Sequence, residues 1–167
     1  NYIIYRLTDI MLLKAEALVL KIQEEGAIAE GTPDYELYSQ AFELVDAVNK
    51  RSLLEPTPYT HVLDITKHAT KLGALNLVYD ERQRELMFEG KRYFDLVRRS
   101  LREDNTDYLA NHVSNKNAST AAIVRSKMQK IDAIFWPYNL DETKCNKNLV
   151  QNPAFGSGEN SSYEKTN

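Results

Sequence analysis

A dense block of acidic and basic side chains between residues 81 and 98 has the residue types needed for acid–base chemistry. Two carboxylates held close together can act as a general acid and a general base. Here, however, Arg82 and Glu85 stand three positions apart, as do Glu89 and Arg92, and this spacing pairs opposite charges along a helix surface. We therefore predict a structural ladder of ion pairs rather than a catalytic site. The members of this structural motif are Glu81, Arg82, Glu85, Glu89, Gly90, Arg92, Asp95 and Arg98.

The sequence offers little for metal or nucleophilic chemistry. None of the three histidines belongs to a His-Glu-x-x-His pattern, and the single cysteine, Cys145, has no histidine near it in sequence. There is no Gly-x-Ser-x-Gly turn, and the six glycines form no phosphate-binding cluster. We predict that the protein is not an enzyme and has no catalytic residue, no metal site and no cofactor.

Aromatic side chains offer flat surfaces on which sugars and peptides can stack, and the chain has ten tyrosines, five phenylalanines and one tryptophan. Tyr59, which follows Pro58 in a predicted loop, is expected to be exposed and is the candidate ligand contact. The aromatic residues on apolar faces are predicted to pack in the interior; they include Tyr38, Phe42, Tyr93, Phe94, Phe135 and Trp136.

Length and composition limit the class of protein. The 167 residues and 19.2 kDa correspond to one domain or to a piece of a larger protein. With 43% hydrophobic residues, 27% charged residues and a mean hydropathy of -0.51, the chain is expected to fold around a core. The formal net charge of -3 argues against nucleic acid as a partner. The longest apolar stretch, residues 10–20, contains Lys14 and Glu16 and is too short and too charged to cross a bilayer.

Two helices are predicted near the start of the chain. Thr8 is a candidate N-cap for a buried helix over residues 8–25. Thr32 is a candidate cap for a second helix, with Pro33 in its first position and an end near residue 51. Such a pair is typical of one helical-repeat unit and cannot bury its own apolar faces, so we expect the first helix to pack against preceding repeats.

The middle of the chain is predicted to alternate loops and helices. Residues 55–73 begin with two closely spaced prolines and are predicted to form a loop, for which a short helix at the end is left open. The next helix is expected to start near Asn76 and to be interrupted at Gly90. Residues 102–117 are predicted to be a surface connection, and a weakly periodic stretch follows up to residue 134.

Three separated blocks resemble, in the right order, the carboxy-terminal part of the SusD/RagB family of outer-membrane nutrient-binding lipoproteins. The first block consists of YRLTDIMLLKAEALVL and AFELVDAVNKRSLL and is similar to the family's last tetratricopeptide-like helix pair. The second block is ERQRELMFEGKRYFDLVRR and matches the family pattern Glu-Arg-x-x-Glu-Leu-x-Phe-Glu-Gly-x-Arg-x-x-Asp-Leu-x-Arg. The third block is FWPYNLDETKCNKNLVQNPAF and resembles the closing segment, although Asn139 and Ala154 replace a usual proline and a usual glycine.

The resemblance implies an all-α, predominantly helical fold. This fold would contain a tetratricopeptide-like helix pair and an irregular, loop-rich C-terminal region, together a fragment of a larger helical-repeat fold. Residues 1–155 would form a SusD/RagB-like C-terminal domain, and residues 156–167 a polar tail. We expect the charged block to act as a structural clamp between the helix pair and the closing segment around Trp136 and Pro137.

The resemblance also implies a surface nutrient-binding protein that captures an oligosaccharide or a peptide without altering it. It would work with a SusC-like TonB-dependent transporter at the outer membrane, exposed at the cell surface, with a lipid anchor outside this chain as its only attachment to the membrane. The family's ligand-contacting residues are not carried over, because they lie largely in variable loops and in the amino-terminal half. The alternative hypothesis is a helical-repeat adaptor that docks a partner protein and has no nutrient role.

Overall fold

The computed structural model of the protein describes residues 4–53, 62–116, 118–146 and 148–155. Helices dominate the regular structure of these residues, which confirms the all-α fold class. The chain divides into two compact units, Asn1–Arg92 and Tyr93–Asn167. The α-helices of the described residues are α1 (Leu7–Lys21), α2 (Pro33–Ser52), α3 (Lys71–Glu85), α4 (Lys91–Glu103), α5 (Asp107–Ser114), α6 (Ala121–Lys127) and α7 (Leu140–Cys145), and short 3-10 helices lie at Ile65–His68, Ala118–Thr120 and Ile131–Ile134.

Helix α1 does not begin with the predicted cap. Arg6 is its N-cap residue, and the Arg6 side chain makes no capping hydrogen bond. Thr8, the predicted cap, is buried in the first turn, where its hydroxyl accepts a hydrogen bond from the Arg6 guanidinium. The prediction is wrong because the Thr8 hydroxyl is committed to this arginine and not to the free backbone N–H groups of the helix start.

The end of α1 also differs from the prediction. The helix stops at Lys21, short of residue 25. Asp34, in the first turn of α2, accepts hydrogen bonds from the backbone N–H groups of Gln23 and Glu24 at 3.1 and 2.8 Å. These bonds fix the chain in a non-helical path toward α2, so the helix ends earlier than its apolar pattern suggests.

Helix α2 begins as predicted. Pro33 occupies its first turn, and Thr32 caps it by accepting a hydrogen bond from the Tyr35 N–H at 3.1 Å. The helix ends at Ser52, within one residue of the predicted end. Its inner face is buried as predicted by the spacing of Tyr38, Ala41, Val45 and Val48.

Helix α3 begins at Lys71 because Thr70, and not Asn76, is its N-cap. The Thr70 hydroxyl accepts a hydrogen bond from the Gly73 N–H at 3.0 Å. Thr70 is itself held by an isolated antiparallel bridge to Ala27. The predicted loop does end in helical structure, a 3-10 helix at Ile65–His68, but its last residues already belong to α3.

Helices α1, α2 and α3 pack against one another in pairs and enclose the core of the first unit. Leu12 of α1, Val45 of α2 and Val78 of α3 are almost fully buried there. Helix α3 thus covers part of the surface that a helix pair alone would leave open. Leu7 and Ile10 of α1 remain more than half exposed. Packing of α1 against preceding repeats stays a prediction.

A tight turn separates α3 from α4, which confirms the predicted interruption at Gly90. Gly90 has φ of +71°, in the left-handed region that favours glycine. A Cβ atom at this position would meet no atom within 4 Å, so the glycine serves the bend and not a close backbone approach. Phe88 in the same turn also has a positive φ, +69°, although it is not a glycine.

The second unit corrects the prediction that residues 102–117 are a surface connection. They contain α5, which packs against α6 and buries Leu109 and Ala110. The Arg99 guanidinium lies 3.6 Å from the centre of the Tyr108 ring, a cation–π contact that adds to the packing. The stretch is polar overall, but Leu109 and Ala110 give α5 a short apolar face, which the overall composition does not indicate. The polar tail over 156–167 lies outside the described residues.

Candidate functional site

The charged block makes its most extensive contacts with Arg6, just ahead of α1. Arg6 Nε lies 2.9 Å from Glu89 Oε1, and the same guanidinium pairs with Glu85. Arg51 near the end of α2 also pairs with Glu85. Because α3 ends at Glu85 and Glu89 lies in the following turn, these two glutamates do not continue one helix face. These ion pairs connect different elements, whereas Arg84 with Glu81 and Arg98 with Asp95 pair at three positions along a helix. The ladder as a whole stays a prediction.

These contacts alter the proton affinity of both partners. The hydrogen bond to Glu89 raises the pKa of Arg6, and Glu85 adds to this effect, while burial opposes it. Burial alone would raise the pKa of Glu85, but hydrogen bonds from Arg6, Arg51 and Thr8 outweigh it and hold that pKa below its usual value. Glu85 is therefore ionised near neutral pH and is poorly suited to act as a general acid.

Arg82 and Asp9 form a buried ion pair between α3 and α1. Arg82 Nη2 lies 2.9 Å from Asp9 Oδ1, and their side chains are only 3% and 1% exposed. Arg82 also donates to the Asp9 carbonyl oxygen at 3.2 Å, and Lys91 Nζ lies 3.3 Å from Asp9 Oδ2. Two cations thus compensate one buried carboxylate, which a buried charge requires.

Two further buried carboxylates hold the three helices together. Glu81 accepts a hydrogen bond from Asn49 Nδ2 at 3.2 Å and another from Arg84 Nε at 3.1 Å. Glu16 of α1 accepts a hydrogen bond from the Tyr79 hydroxyl at 2.9 Å. Both carboxylates are engaged by neighbouring donors, so their arrangement supports a scaffold and not a catalytic dyad.

The last members of the predicted motif lie at the start of α4. Arg92 donates a hydrogen bond to the Tyr79 carbonyl oxygen at 3.2 Å. Within the second unit, Arg98 Nη2 lies 3.1 Å from Asp95 Oδ1, and Asp95 is buried. The proposed role of the charged block as a clamp on the closing segment around Trp136 and Pro137 stays a prediction.

An open groove lies between the start of α1 and the end of α2. Its volume is about 340 Å³. Arginines stand at its rim and apolar side chains form most of its wall; the lining residues are Arg6, Leu7, Thr8, Met11, Ala47, Val48 and Arg51. Arg6 pairs with Glu85 and Glu89, and Arg51 pairs with Glu85, so two carboxylates balance the two arginines at the rim.

Residues 135–138 of the second unit form an aromatic loop. Trp136 is 81% exposed and Tyr138 is 52% exposed, and Phe135 is also exposed. The prediction that Phe135 and Trp136 pack in the interior is wrong, as it is for Tyr93 and Phe94 of α4, which are 38% and 65% exposed. Residues 136–138 form no helix, so their apolar character does not produce a buried helix face. Pro137 also has no backbone N–H to donate in regular secondary structure.

Side-chain amides hold the backbone of the aromatic loop. The Gln151 side chain accepts from the Tyr138 N–H and donates to the Tyr138 carbonyl, each at 2.9 Å. Asn152 Nδ2 donates to the carbonyl oxygens of Asp132 and Phe135 at 2.8 and 3.0 Å. The Tyr93 hydroxyl donates to the Ile134 carbonyl at 2.7 Å. The backbone is thus fixed while the aromatic side chains face solvent.

Sequence reasoning missed the partners of both regions. Asp9 is a charged residue in an apolar helix, and this was a usable signal, since buried charges are nearly always paired. Gln151 and Asn152 belong to the third block of the resemblance, but no spacing rule connects them with residues 132–138. Tyr59, the predicted ligand contact, lies outside the described residues.

The part of the chain that the structure describes contains neither a metal-binding cluster nor a membrane-spanning helix. It contains no group of three or more His, Cys, Asp or Glu side chains that could hold a metal ion. Cys145 is an exposed free thiol. Among the described helices, none combines the length and the apolar character that crossing a bilayer requires.

The described residues thus form an all-α protein with a three-helix scaffold of paired charges and an exposed aromatic loop. The chain belongs to the SusD family, whose model matches residues 1–155. This family consists of non-catalytic proteins that bind nutrients, glycans in general, and work with SusC-like TonB-dependent transporters at the outer membrane. Searches of curated proteins and of solved structures found no significant match to the chain.

Proposed function

We propose that this protein is the surface nutrient-binding subunit of a TonB-dependent uptake system and that it captures an oligosaccharide or a peptide. The observation that carries this proposal is the family match over residues 1–155. The protein would be exposed at the cell surface and lipid-anchored to the outer membrane through a segment outside this chain. Its partner would be a SusC-like transporter.

The geometry of the charged residues supports binding without chemistry. Four buried or partly buried carboxylates are engaged by cationic, amide or hydroxyl donors; they are Asp9, Glu16, Glu81 and Glu85. A general acid needs a pKa near the working pH, whereas the pKa of Glu85 is lowered. We therefore infer that the protein is not an enzyme and that its ligand leaves unchanged.

A gene deletion followed by growth assays tests the proposed function. The strain that lacks the gene is grown with single oligosaccharides or peptides as the carbon source, and uptake of the labelled nutrient is measured. We expect slow growth and reduced uptake on one class of nutrient, restored by the wild-type gene, and normal growth on glucose as the control. Purification of the tagged protein from the outer membrane should recover a TonB-dependent transporter.

The same experiments separate the proposal from the adaptor hypothesis. An adaptor would be recovered with a partner other than a transporter, and its deletion would leave growth on every nutrient unchanged. Hydrolysis of an oligosaccharide or a peptide by the purified protein would contradict the non-catalytic role. Gene neighbours that encode glycosidases or peptidases would indicate the class of nutrient.

A further inference from the structure

Positive charge is concentrated in one stretch of the second unit. Residues 108–131 contain four lysines and arginines and no aspartate or glutamate, whereas the whole chain has a formal net charge of -3. The chain as a whole therefore repels an anionic partner, and any attraction to such a partner is expected from this stretch.

Three of these cations lie close together in sequence at the end of α6. Arg125 and Lys127 belong to the helix, Lys130 follows it, and all three residues are exposed. The Arg125 guanidinium donates a hydrogen bond to the side-chain oxygen of Asn111, which is a neutral partner. Within the described residues, no carboxylate forms an ion pair with any of the three cations. Their charges are thus available to a partner outside the chain.

The packing of α6 against α5 gives the helix an inner and an outer side. Val124 and Met128 are partly buried, whereas Ile123 is 59% exposed. Ile123 stands four positions before Lys127, and this spacing places both on the same helix face. The backbone at the end of α6 is fixed, because the Thr106 hydroxyl donates to the Met128 carbonyl oxygen. We call the exposed residues the basic face; they are Ile123, Arg125, Lys127 and Lys130.

The chemistry of the basic face favours a lipid surface. Exposed cations beside an exposed aliphatic side chain are typical of helices that lie on a membrane: the cations attract phosphate groups, and the aliphatic side chain enters the boundary between headgroups and acyl chains. A site for one small anion would instead have a pocket with a few convergent polar groups, and here all three cations are exposed. The SusD family is associated with the outer membrane, so a lipid surface is within reach.

We propose that the basic face docks the second unit on the anionic, phosphate-bearing headgroups of a membrane surface. This contact adds a second attachment to the expected lipid anchor and determines which side of the second unit is turned toward the membrane. The proposal rests on the proposed function, because it requires the protein to stand at the outer membrane.

Sedimentation with lipid vesicles tests the docking. The 167-residue chain, without a lipid anchor, is mixed with vesicles of phosphatidylcholine alone or of phosphatidylcholine and phosphatidylglycerol at about 7:3. We expect binding to the mixed vesicles only, and we expect it to disappear between about 0.05 and about 0.5 M sodium chloride, because salt screens exposed charges. Equal binding to both kinds of vesicle, or no binding to the mixed vesicles, would overturn the proposal.

A triple variant tests whether the basic face is responsible. Replacement of Arg125, Lys127 and Lys130 by glutamine should weaken binding to the mixed vesicles roughly a hundred-fold, at about five-fold for each charge removed. The matched control has the same change in net charge but removes exposed lysines of the first unit: Lys14→Gln, Lys21→Gln and Lys67→Gln. It should bind within about two-fold of the wild-type chain, because charges away from the contact are screened. Equal losses in the two variants, both folded by circular dichroism, would overturn the proposal.

A soluble polyanion separates a lipid surface from an acidic polymer as the partner. Polygalacturonate offers carboxylates but no apolar layer. Ile123→Ser should therefore weaken binding to the mixed vesicles several-fold and leave binding of polygalacturonate unchanged. Binding of polygalacturonate at a salt concentration at which the mixed vesicles do not bind would assign the basic face to an anionic polymer and overturn the membrane proposal.

The results also distinguish this proposal from the proposed function. If deletion of the gene abolishes uptake of a nutrient but the triple variant binds mixed vesicles as the wild-type chain does, the docking face is wrong and the uptake function stands. If the triple variant loses vesicle binding but deletion of the gene leaves all nutrient uptake unchanged, the uptake function is wrong and the docking face stands.

Discussion

The two regions reverse the usual placement of charged and aromatic side chains. In the three-helix scaffold, Asp9, Glu81 and Arg82 are buried in the interior. In the aromatic loop, Trp136 and Tyr138 are exposed. In both places hydrogen bonds fix the structure. In the scaffold they compensate buried charged side chains that cannot reach water. In the loop they hold the backbone, and the aromatic side chains stay exposed to water. The scaffold pairs therefore contribute to stability, whereas the exposed rings of the loop bury little surface.

This difference leads to opposite expectations for substitutions. A buried charge that loses its partner is costly, because the remaining charge stays in a poorly solvated environment. An exposed ring that is removed leaves no cavity and few broken contacts. The free energy of unfolding should therefore respond strongly to substitutions in the scaffold and weakly to loss of an exposed ring, and four substitutions test this difference.

The largest expected effect is that of Arg82→Ala. It leaves the buried Asp9 carboxylate with Lys91 alone and removes the hydrogen bond to the Asp9 carbonyl. We expect the free energy of unfolding to fall by about 3 kcal/mol, measured by guanidinium titration with far-UV circular dichroism. The control is Lys144→Ala, which breaks an ion pair with Asp141 whose two side chains are 75% and 82% exposed and should cost less than about 1 kcal/mol. Equal effects would contradict the distinction between buried and surface pairs.

Asn152→Ala tests the support of the aromatic loop. The change removes the donors to the Asp132 and Phe135 carbonyls and the acceptor for the Ala154 N–H. With three hydrogen bonds lost, we expect the second unit to be destabilised by about 2 kcal/mol, measured from the Trp136 emission during denaturation. Asn148→Ala, at an exposed neighbouring position, should cost less than about 0.5 kcal/mol. A rigid, unchanged loop in Asn152→Ala would show that other contacts hold it.

The pH dependence of stability gives a smaller effect. The pKa of Glu85 is lowered in the folded state, so its contribution is present above the unfolded value of about 4.3 and is lost as the pH falls through the folded pKa. Glu85→Gln should lower the free energy of unfolding by about 1.5 kcal/mol at pH 7, and this difference should shrink below about pH 4. Urea titrations of both proteins across this range measure it. A difference in the free energy of unfolding that does not change with pH would contradict a role for the ionised carboxylate. The control is Glu25→Gln, which alters an exposed pair with Lys71 and should cost less than about 0.5 kcal/mol at pH 7.

Local sequence signals predicted much of the scaffold. The apolar spacing of α2 and the Thr32–Pro33 start correspond to the structure, because both depend on residues within one turn. The start of α3 was missed because Thr70 is supported by Ala27, far away in sequence. A helix boundary that depends on a tertiary contact cannot be predicted from the residues of its first turn alone.

The candidate sites depended even more on long-range contacts. The charged block contains residues that do form ion pairs, as predicted. Three of their partners lie far away in sequence: Arg6 just before α1, Asp9 in α1 and Arg51 in α2. The exposure of Trp136 was not predicted, because apolar residues are usually buried. The backbone of this loop is held by the side-chain amides of Gln151 and Asn152, and these contacts are not visible in the local sequence.

The smallest expected effect on stability is that of Trp136→Ala. Because the side chain is 81% exposed, only about a fifth of its surface is hidden, and transfer of that area is worth roughly 1 kcal/mol at most. Guanidinium titration followed by circular dichroism should therefore show nearly the wild-type midpoint. Tyr38→Ala, which removes a ring that is 1% exposed, should cost about 3 kcal/mol or more under the same conditions. A large loss of stability in Trp136→Ala would show that this ring stabilises the fold as the buried residues do, because a ring that is mostly exposed has few stabilising contacts to lose.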